Sequence, residues 1–177
     1  MTRTNEQLMM AYQNGDQEAL AELYENMYEP LYCFLIRYTS EVDLSIDTVH
    51  DVFETVQKKK EVYEAQIGTV KAFLFQIAYR LLINKLQRRK RWRKLLPSLV
   101  PKETKSLAAE DRLTIQTAIS ELSENHRAVI LLAYYEDATQ DEISQILHIP
   151  IGTVKSRLYH AIKQLKQQLK GDFQDER

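Results

Sequence analysis

The run 140-QDEISQILHIPIGTVKSRLYHAIKQLKQQL-169 decides how this chain folds. Val154, Leu158, Ile162, Leu165 and Leu169 recur at steps of three and four, which places them on one stripe of a helix. The opposite face carries Lys155, Ser156, Tyr159, His160 and Lys163, and no acid occurs from Gly152 to Lys170. Pro150 suits a helix start, where its missing N–H would have been an orphan donor anyway. Upstream, Thr139-Gln140-Asp141-Glu142 matches a capping box, in which the Thr hydroxyl and the Glu carboxylate each satisfy a free N–H. A short helix over 140–147, a tight connection and a longer helix with a basic polar face form a helix-turn-helix pattern. Such a face suits a DNA major groove.

Working outward, Ala108–Leu122 reads as an amphipathic helix through Leu113, Ile115, Ala118, Ile119 and Leu122. Ser123 caps the next, which contains Val129, Ile130, Leu131 and Leu132. Pro97 and Pro101 break any helix between 95 and 107, so that stretch is a linker. Before it, Thr69 caps a long helix whose inner stripe is Val70, Phe73, Leu74, Ile77, Ala78, Leu81 and Leu82. Lys71, Phe75, Tyr79, Arg80, Asn84, Gln87 and Arg88 fall on its outer side. Its end is a block, Arg80–Lys94, with eight Lys or Arg and no acid.

Nearer the start, Asp43 to about Lys60 reads as a helix with Leu44, Val49, Val52, Phe53 and Val56 inside. Asp47, Asp51 and Glu54 make an acidic ridge on its outside, beside His50. The residues 61–68 read as a loop. Leu20, Leu23, Tyr24, Met27, Tyr28, Leu31, Leu35 and Ile36 form an earlier stripe, with Pro30 expected to kink or break it. Asn5–Asn14 is a short helix closed at Gly15, and Asp16 caps the second helix. The tyrosines of this part read as core-edge residues with their hydroxyls at the surface.

The totals set outer bounds. With 177 residues, 44% hydrophobic and 28% charged, a packed core is available. Four Gly and four Pro, with few alternating β-branched runs, point to an all-α protein: two small helical domains, 1–94 and 108–177, joined by a flexible linker over 95–107. The net charge of −1 conceals strong polarity, because the first thirty residues hold six acids against Arg3 alone. A single cysteine, Cys33, excludes an internal disulfide and fits a reducing compartment. The start, MTRTNEQLMM, lacks a signal-peptide core, and no run of about 18 apolar residues occurs, so a cytoplasmic location is expected. The glycines are isolated, which removes phosphate-cradling loops, and the four histidines do not combine at metal-ligand spacing. No cofactor, metal or enzymatic reaction is expected.

Both halves together resemble RNA polymerase sigma factors of the extracytoplasmic-function group. The strongest match is LSENHRAVILLAYYEDATQDEISQILHIPIGTVKSRLYHAIKQL, residues 122–165, with GTVKSRL as its specific signature. Helix-turn-helix regulators share parts of this run. DTVHDVFETV at 47–56 and KAFLFQIAYRLLINKLQRRKR at 71–91 are similar to that group's polymerase-binding and promoter-melting domain, in the same order. Departures are Ile46, His50, Phe73, Arg80, Asn84, His148 and His160. His148 replaces the glycine usual in the turn, and His is among the residues that tolerate positive φ.

The resemblance implies a fold, partners and residue roles. Asp47, Asp51 and Glu54 would dock on RNA polymerase core, with His50 and Phe53 packing at the centre. Promoter DNA would meet two surfaces. For the melted element, Tyr63, Phe75 and Tyr79 would stack on bases, Asn84 would read a base edge, and Lys71, Arg80, Lys85, Arg88 and Arg89 would hold phosphates. For the upstream element, Lys155, Ser156, Tyr159, His160 and Lys163 would reach base edges, and Arg127, Thr153, Arg157 and Lys166 would serve phosphates. The resemblance further implies control by an anti-sigma protein, and no small-molecule substrate. Two other readings stay open at this level: a stand-alone helix-turn-helix regulator that binds palindromic duplex as a dimer, and a helical interaction protein with a basic surface.

Overall fold

A computed structural model describes residues 3–95 and 113–172, and it is helical throughout, with no strand among the described residues. The helices are α1 (Asn5–Gln13), α2 (Gln17–Thr39), α3 (Val42–Lys58), α4 (Val70–Leu95), α5 (Leu113–Glu121), α6 (Glu124–Tyr134), α7 (Gln140–Leu147) and α8 (Ile151–Asp172). A single 3-10 turn, Lys60–Val62, lies in the α3–α4 connection. The expected linker, apart from Leu95, and the first residues of the 108–122 helix lie outside the described residues.

Local chemistry sets most of the helix starts. Thr4 and Gln7 form a reciprocal capping box at α1. The Asp16 carboxylate accepts from the N–H groups of Glu18 and Ala19 at 3.1 and 3.3 Å. Thr69 accepts from Ala72 N–H at 3.1 Å, and Ser123 accepts from His126 N–H at 3.3 Å. Thr139 and Glu142 complete the capping box of α7, at 3.2 and 2.9 Å. Ser45 and Thr48 are fully buried in α3, and each satisfies its hydroxyl by donating to the carbonyl four residues back, at 2.6 Å.

Pro30 does not break its helix: α2 runs continuously from Gln17 to Thr39. Proline removes one ladder hydrogen bond, but Leu23, Met27, Leu31, Phe34 and Leu35 are buried on both sides of it. Their burial, at about 1.5–3 kcal/mol for each large side chain, outweighs the local loss.

The four helices α1–α4 enclose a core of Leu8, Met9, Leu23, Leu31, Val49, Val52, Leu74 and Leu82. A second group, α5–α8, packs Ile119, Leu122, Val129, Leu132, Ile143, Ile146, Val154 and Ala161. The two groups meet where α7 lies across α4 and where α5 and α6 lie against α2. Among the described residues α3 packs only within the first group and α8 only within the second. Helices α3 and α8 thus have no packing partner in common, and α4 lies at the junction.

The turn between α7 and α8 bears the one backbone strain that the sequence announces. His148 adopts the left-handed conformation, φ 55° and ψ 48°. Ser144 Oγ donates to Ile149 O at 2.6 Å and braces the turn, and Pro150 O accepts from Thr153 and Val154 to open α8. A left-handed conformation costs an ordinary L residue on the order of 1–2 kcal/mol, which glycine avoids. His148→Gly is therefore expected to raise stability by about 1 kcal/mol, the remainder offset by glycine's extra unfolded-state entropy. Thermal unfolding followed by circular dichroism checks this through a higher midpoint.

Candidate nucleic-acid interface

On α8 the buried stripe and the polar face separate cleanly. Val154 and Ala161 are fully buried against α6 and α7, and Leu158 and Ile162 pack on the same core. Lys155, Ser156, Tyr159, His160 and Lys163 are exposed, Tyr159 at 65%. Their offsets of one, four, five and eight residues bring them to one side of the helix. Tyr159 and His160 meet edge to face at 5.3 Å between ring centroids. Thr153, half-buried, donates its N–H to Pro150 O in the first turn. Arg157 is half-buried and sits toward the first helical group: burial raises the Tyr79 hydroxyl pKa, and Arg157 counters that rise.

Arg127 departs from its expected role. Its guanidinium donates to the carbonyls of Ile119, Ser120 and Leu122 at the end of α5, and to Tyr38 O of α2 at 2.8 Å. It also lies 5.3 Å from the Tyr38 ring centroid. With its donors committed to four carbonyls, this arginine staples α5, α6 and α2 and is not presented to a phosphate. A basic residue near a helix start looks the same in sequence in both roles.

The outer side of α4 divides in two. Toward its C-terminal end Arg80, Asn84, Arg88 and Arg89 are exposed. Arg89 is not idle, because it makes a two-pronged ion pair with Glu41 at 2.8 Å. Toward the N-terminal end, Phe75 is fully buried and Tyr79 half-buried, both against groups brought by other helices. Phe75 packs on Phe34 at 5.4 Å, and Tyr79 meets Tyr38 edge on at 6.2 Å. Tyr63 is 5% exposed; it packs on Phe73 and donates its hydroxyl to Gly68 O at 3.2 Å. The expectation that Tyr63 and Phe75 offer open stacking faces is therefore corrected for this conformation. Helical periodicity could not show it, since Phe75 is covered by Phe34 of α2 and by Leu132, Ala138 and Ile146 of the second helical group.

On α3, Asp47, His50 and Glu54 are exposed, with Glu54 ion-paired to Lys58. Asp51 pairs with Lys85 at 2.6 Å, and Lys85 also donates to Thr48 at 3.3 Å. Two residues assigned from the sequence to separate surfaces thus hold each other. Phe53 does not lie at the centre of an exposed face either: it is 5% exposed beneath Tyr24, 4.8 Å away. Tyr24 in turn stacks on His50 at 6.5 Å and touches Tyr28 at 5.4 Å. These half-buried α2 tyrosines are the surface aromatics beside the acidic ridge, and a helical-stripe reading assigned them to the core edge.

Where the two groups meet, Glu136 is 6% exposed. Its carboxylate lies 3.8 Å from Lys71 Nζ and 4.0 Å from Arg37 Nη1, and Lys71 also donates to Glu136 O. Burial pushes the Glu136 carboxyl above the usual range, while Lys71 and Arg37 pull it back. Arg37 lies 4.6 Å from the Tyr135 ring centroid. Elsewhere between the groups, an apolar cleft of about 290 Å³ is lined by Val62, Tyr63, Ile67 and Phe73 from one and Gln145 and His148 from the other. Among the described residues no group of three metal-ligating side chains comes together, and no helix is long and apolar enough to cross a membrane.

The comparisons with known proteins fit this geometry. The family described as Sigma-70, region 4, matches residues 112–165. The ECF RNA polymerase sigma factor SigL of Mycobacterium tuberculosis is 31% identical over 170 residues, covering 89% of this chain and 94% of that protein. SigW of Bacillus subtilis, another ECF RNA polymerase sigma factor, is 25% identical over 172 residues, covering 88% and 91%. Among solved structures, the sigma factor RpoE in complex with the anti-sigma factor NepR from Bartonella quintana superposes with a TM-score of 0.74 at 23% identity, over 85% of this chain and 96% of that one. CnrH in complex with the cytosolic domain of CnrY gives a TM-score of 0.69 at 20% identity, over 93% and 96%.

The two roles for a basic side chain predict different mutant behaviour. Arg127→Leu is expected to lose on the order of 2–3 kcal/mol of stability, because charge-assisted hydrogen bonds to buried carbonyls disappear. Lys163→Ala on the exposed face is expected to shift stability by less than about 0.5 kcal/mol. Urea unfolding of the two variants provides the comparison.

Proposed function

This chain belongs to the extracytoplasmic-function group of RNA polymerase sigma factors, and from that premise we propose how its surfaces divide the work of promoter-specific transcription initiation. The protein binds RNA polymerase core through α3. Asp47, His50 and Glu54 form the outward part of that surface, and Tyr24 and Tyr28 supply its aromatic edge. Exposed ion pairs contribute little each, so the apolar edge supplies much of the affinity while the acids orient the approach. Asp51 stays tied to Lys85 and sets the position of α4 against α3.

Helix α8 reads duplex promoter DNA through Lys155, Ser156, Tyr159, His160 and Lys163. Lys155 and His160 offer donors to guanine acceptors, Ser156 serves either sense, and Tyr159 gives apolar contact to a thymine methyl. Thr153 and Lys166 serve phosphates beside the groove, joined by Arg157. Helix α4 takes the melted strand, with Lys71, Arg80, Arg88 and Arg89 on phosphates, Asn84 at a base edge and the half-buried Tyr79 as its stacking face. The helical groups 3–95 and 113–172 act as two domains in this reading. The chain works in the cytoplasm and contributes binding, not a reaction of its own. An anti-sigma protein is its proposed regulator, supported by the family and by the anti-sigma partner in the RpoE structure.

The observation that carries the reading is that one sigma-factor relative aligns through both halves of the chain, spanning the acidic ridge, the basic helix and the helix-turn-helix together. Run-off transcription with purified core polymerase on fragmented genomic DNA tests it. New start sites that neither component gives alone are expected; their absence, with a tight footprint on a palindrome by the chain alone, would instead identify a stand-alone regulator.

Lys155→Ala with His160→Ala is expected to weaken selection of the upstream element by about 1–3 kcal/mol for each base pair no longer read, with core binding unchanged. Asp47→Ala with Glu54→Ala is expected to reduce core affinity and leave the far-ultraviolet spectrum intact. Core pull-downs and start-site mapping on both double variants distinguish the two surfaces.

A further inference from the structure

Helix α7 ends at Leu147 and α8 begins at Ile151, so residues 148–150 set how the second helix leaves the first. Ser40, Asp137 and His148 are the non-glycine residues at positive φ among the described residues, and His148 is the one that leads into α8. An L side chain resists this left-handed conformation, which glycine adopts freely. The residue after it, Ile149, is gripped on both sides by one residue of α7. Its N–H donates to Ser144 O at 3.1 Å, and its carbonyl accepts from Ser144 Oγ at 2.6 Å. The N–H groups of Thr153 and Val154, which open α8, both go to Pro150 O, at 2.9 and 3.1 Å. The half-buried Ser144 hydroxyl is thus the donor that satisfies Ile149 O.

We propose that Ser144 is a positioning residue for promoter reading: its hydroxyl holds the strained turn at His148 and so fixes where the first turns of α8 meet the bases. The proposal rests on the reading that α8 reads duplex promoter DNA. Both flanks of the turn are anchored, α7 by the buried Ile143, Ile146 and Leu147, and α8 by the buried Val154 and Ala161. Relaxation of His148 out of the left-handed region therefore falls on residues 149–153. Lys155 and Ser156, both exposed for base contact, follow directly. A hydrogen bond to a base edge tolerates only a few tenths of an ångström, so a shift of about 1 Å removes it. Attraction of Lys and Thr contacts to the phosphate backbone is far less sensitive to such a shift and carries no sequence information. The brace therefore governs discrimination between sequences, not affinity for DNA in general.

Holoenzyme assembled from the full chain and core polymerase tests this on two DNA fragments. One carries a promoter found by start-site mapping; the other is the same fragment with its upstream element scrambled. Ser144→Ala, which leaves a good helix former in α7, is expected to lower the preference for the intact fragment by about fivefold or more. Its affinity for the scrambled fragment and for core should stay within about twofold of the unaltered chain. His148→Gly alone should keep the preference. Ser144→Ala with His148→Gly should restore it to within about twofold, because glycine holds the left-handed turn without a brace. A general loss of stability would instead lower binding to both fragments together. Full preference in Ser144→Ala, no recovery in the double variant, or a loss in His148→Gly alone would each overturn the proposal. An unaltered holoenzyme that does not distinguish the fragments would overturn the reading of α8 itself, and this proposal with it.

Discussion

Helix α4 has to satisfy two apolar surfaces at once, and the rest of the structure depends on that constraint. Its Leu74, Ala78 and Leu82 complete the core of α1–α4, while Phe75, a neighbour in sequence, faces a cleft bounded by Leu132, Ala138 and Ile146. A helix wetted on one face tolerates Phe75 only as an exposed aromatic; covered on both sides it buries the ring completely. The C-terminal end of the same helix has no such cover, and from Arg88 to Lys94 every residue but Trp92 is basic. One element thus changes from a doubly packed core helix to a solvated charged rod over two or three turns.

The junction is stabilised differently from either core. Taking the Glu136 carboxylate out of water costs several kcal/mol, and its partners at 3.8 and 4.0 Å recover only part of that. The upward shift of its pKa is the same statement in titration terms. An ion cluster of this kind adds little net stability but penalises every arrangement in which Glu136 lies buried without Lys71 and Arg37. Hydrogen bonds onto Ile67 O, Gln145 O and Tyr38 O act in the same sense, since each fixes a position while contributing about 1 kcal/mol. The polar contacts thus define the geometry of the junction, while Phe75 beside Leu132, Ala138 and Ile146 supplies its apolar packing.

How much was legible in the sequence depends on the range of the interactions involved. Helix starts at Asp16, Thr69, Ser123 and Thr139 rest on contacts within three residues, so they were readable along the chain. The exposed face of α8 was readable because its buried stripe and its partner helices lie within one contiguous run. Most failures involve a partner far away in sequence, although Tyr63 is covered by Gly68 and Phe73, close to it in the chain. Phe75 is covered by Phe34 of α2 and by the second group, and Arg127 reaches Tyr38 across 89 positions. Phe53 lies under Tyr24, and Lys85 pairs with Asp51. At Pro30 local chemistry predicts a kink or a break, and long-range burial on both sides of it keeps α2 continuous.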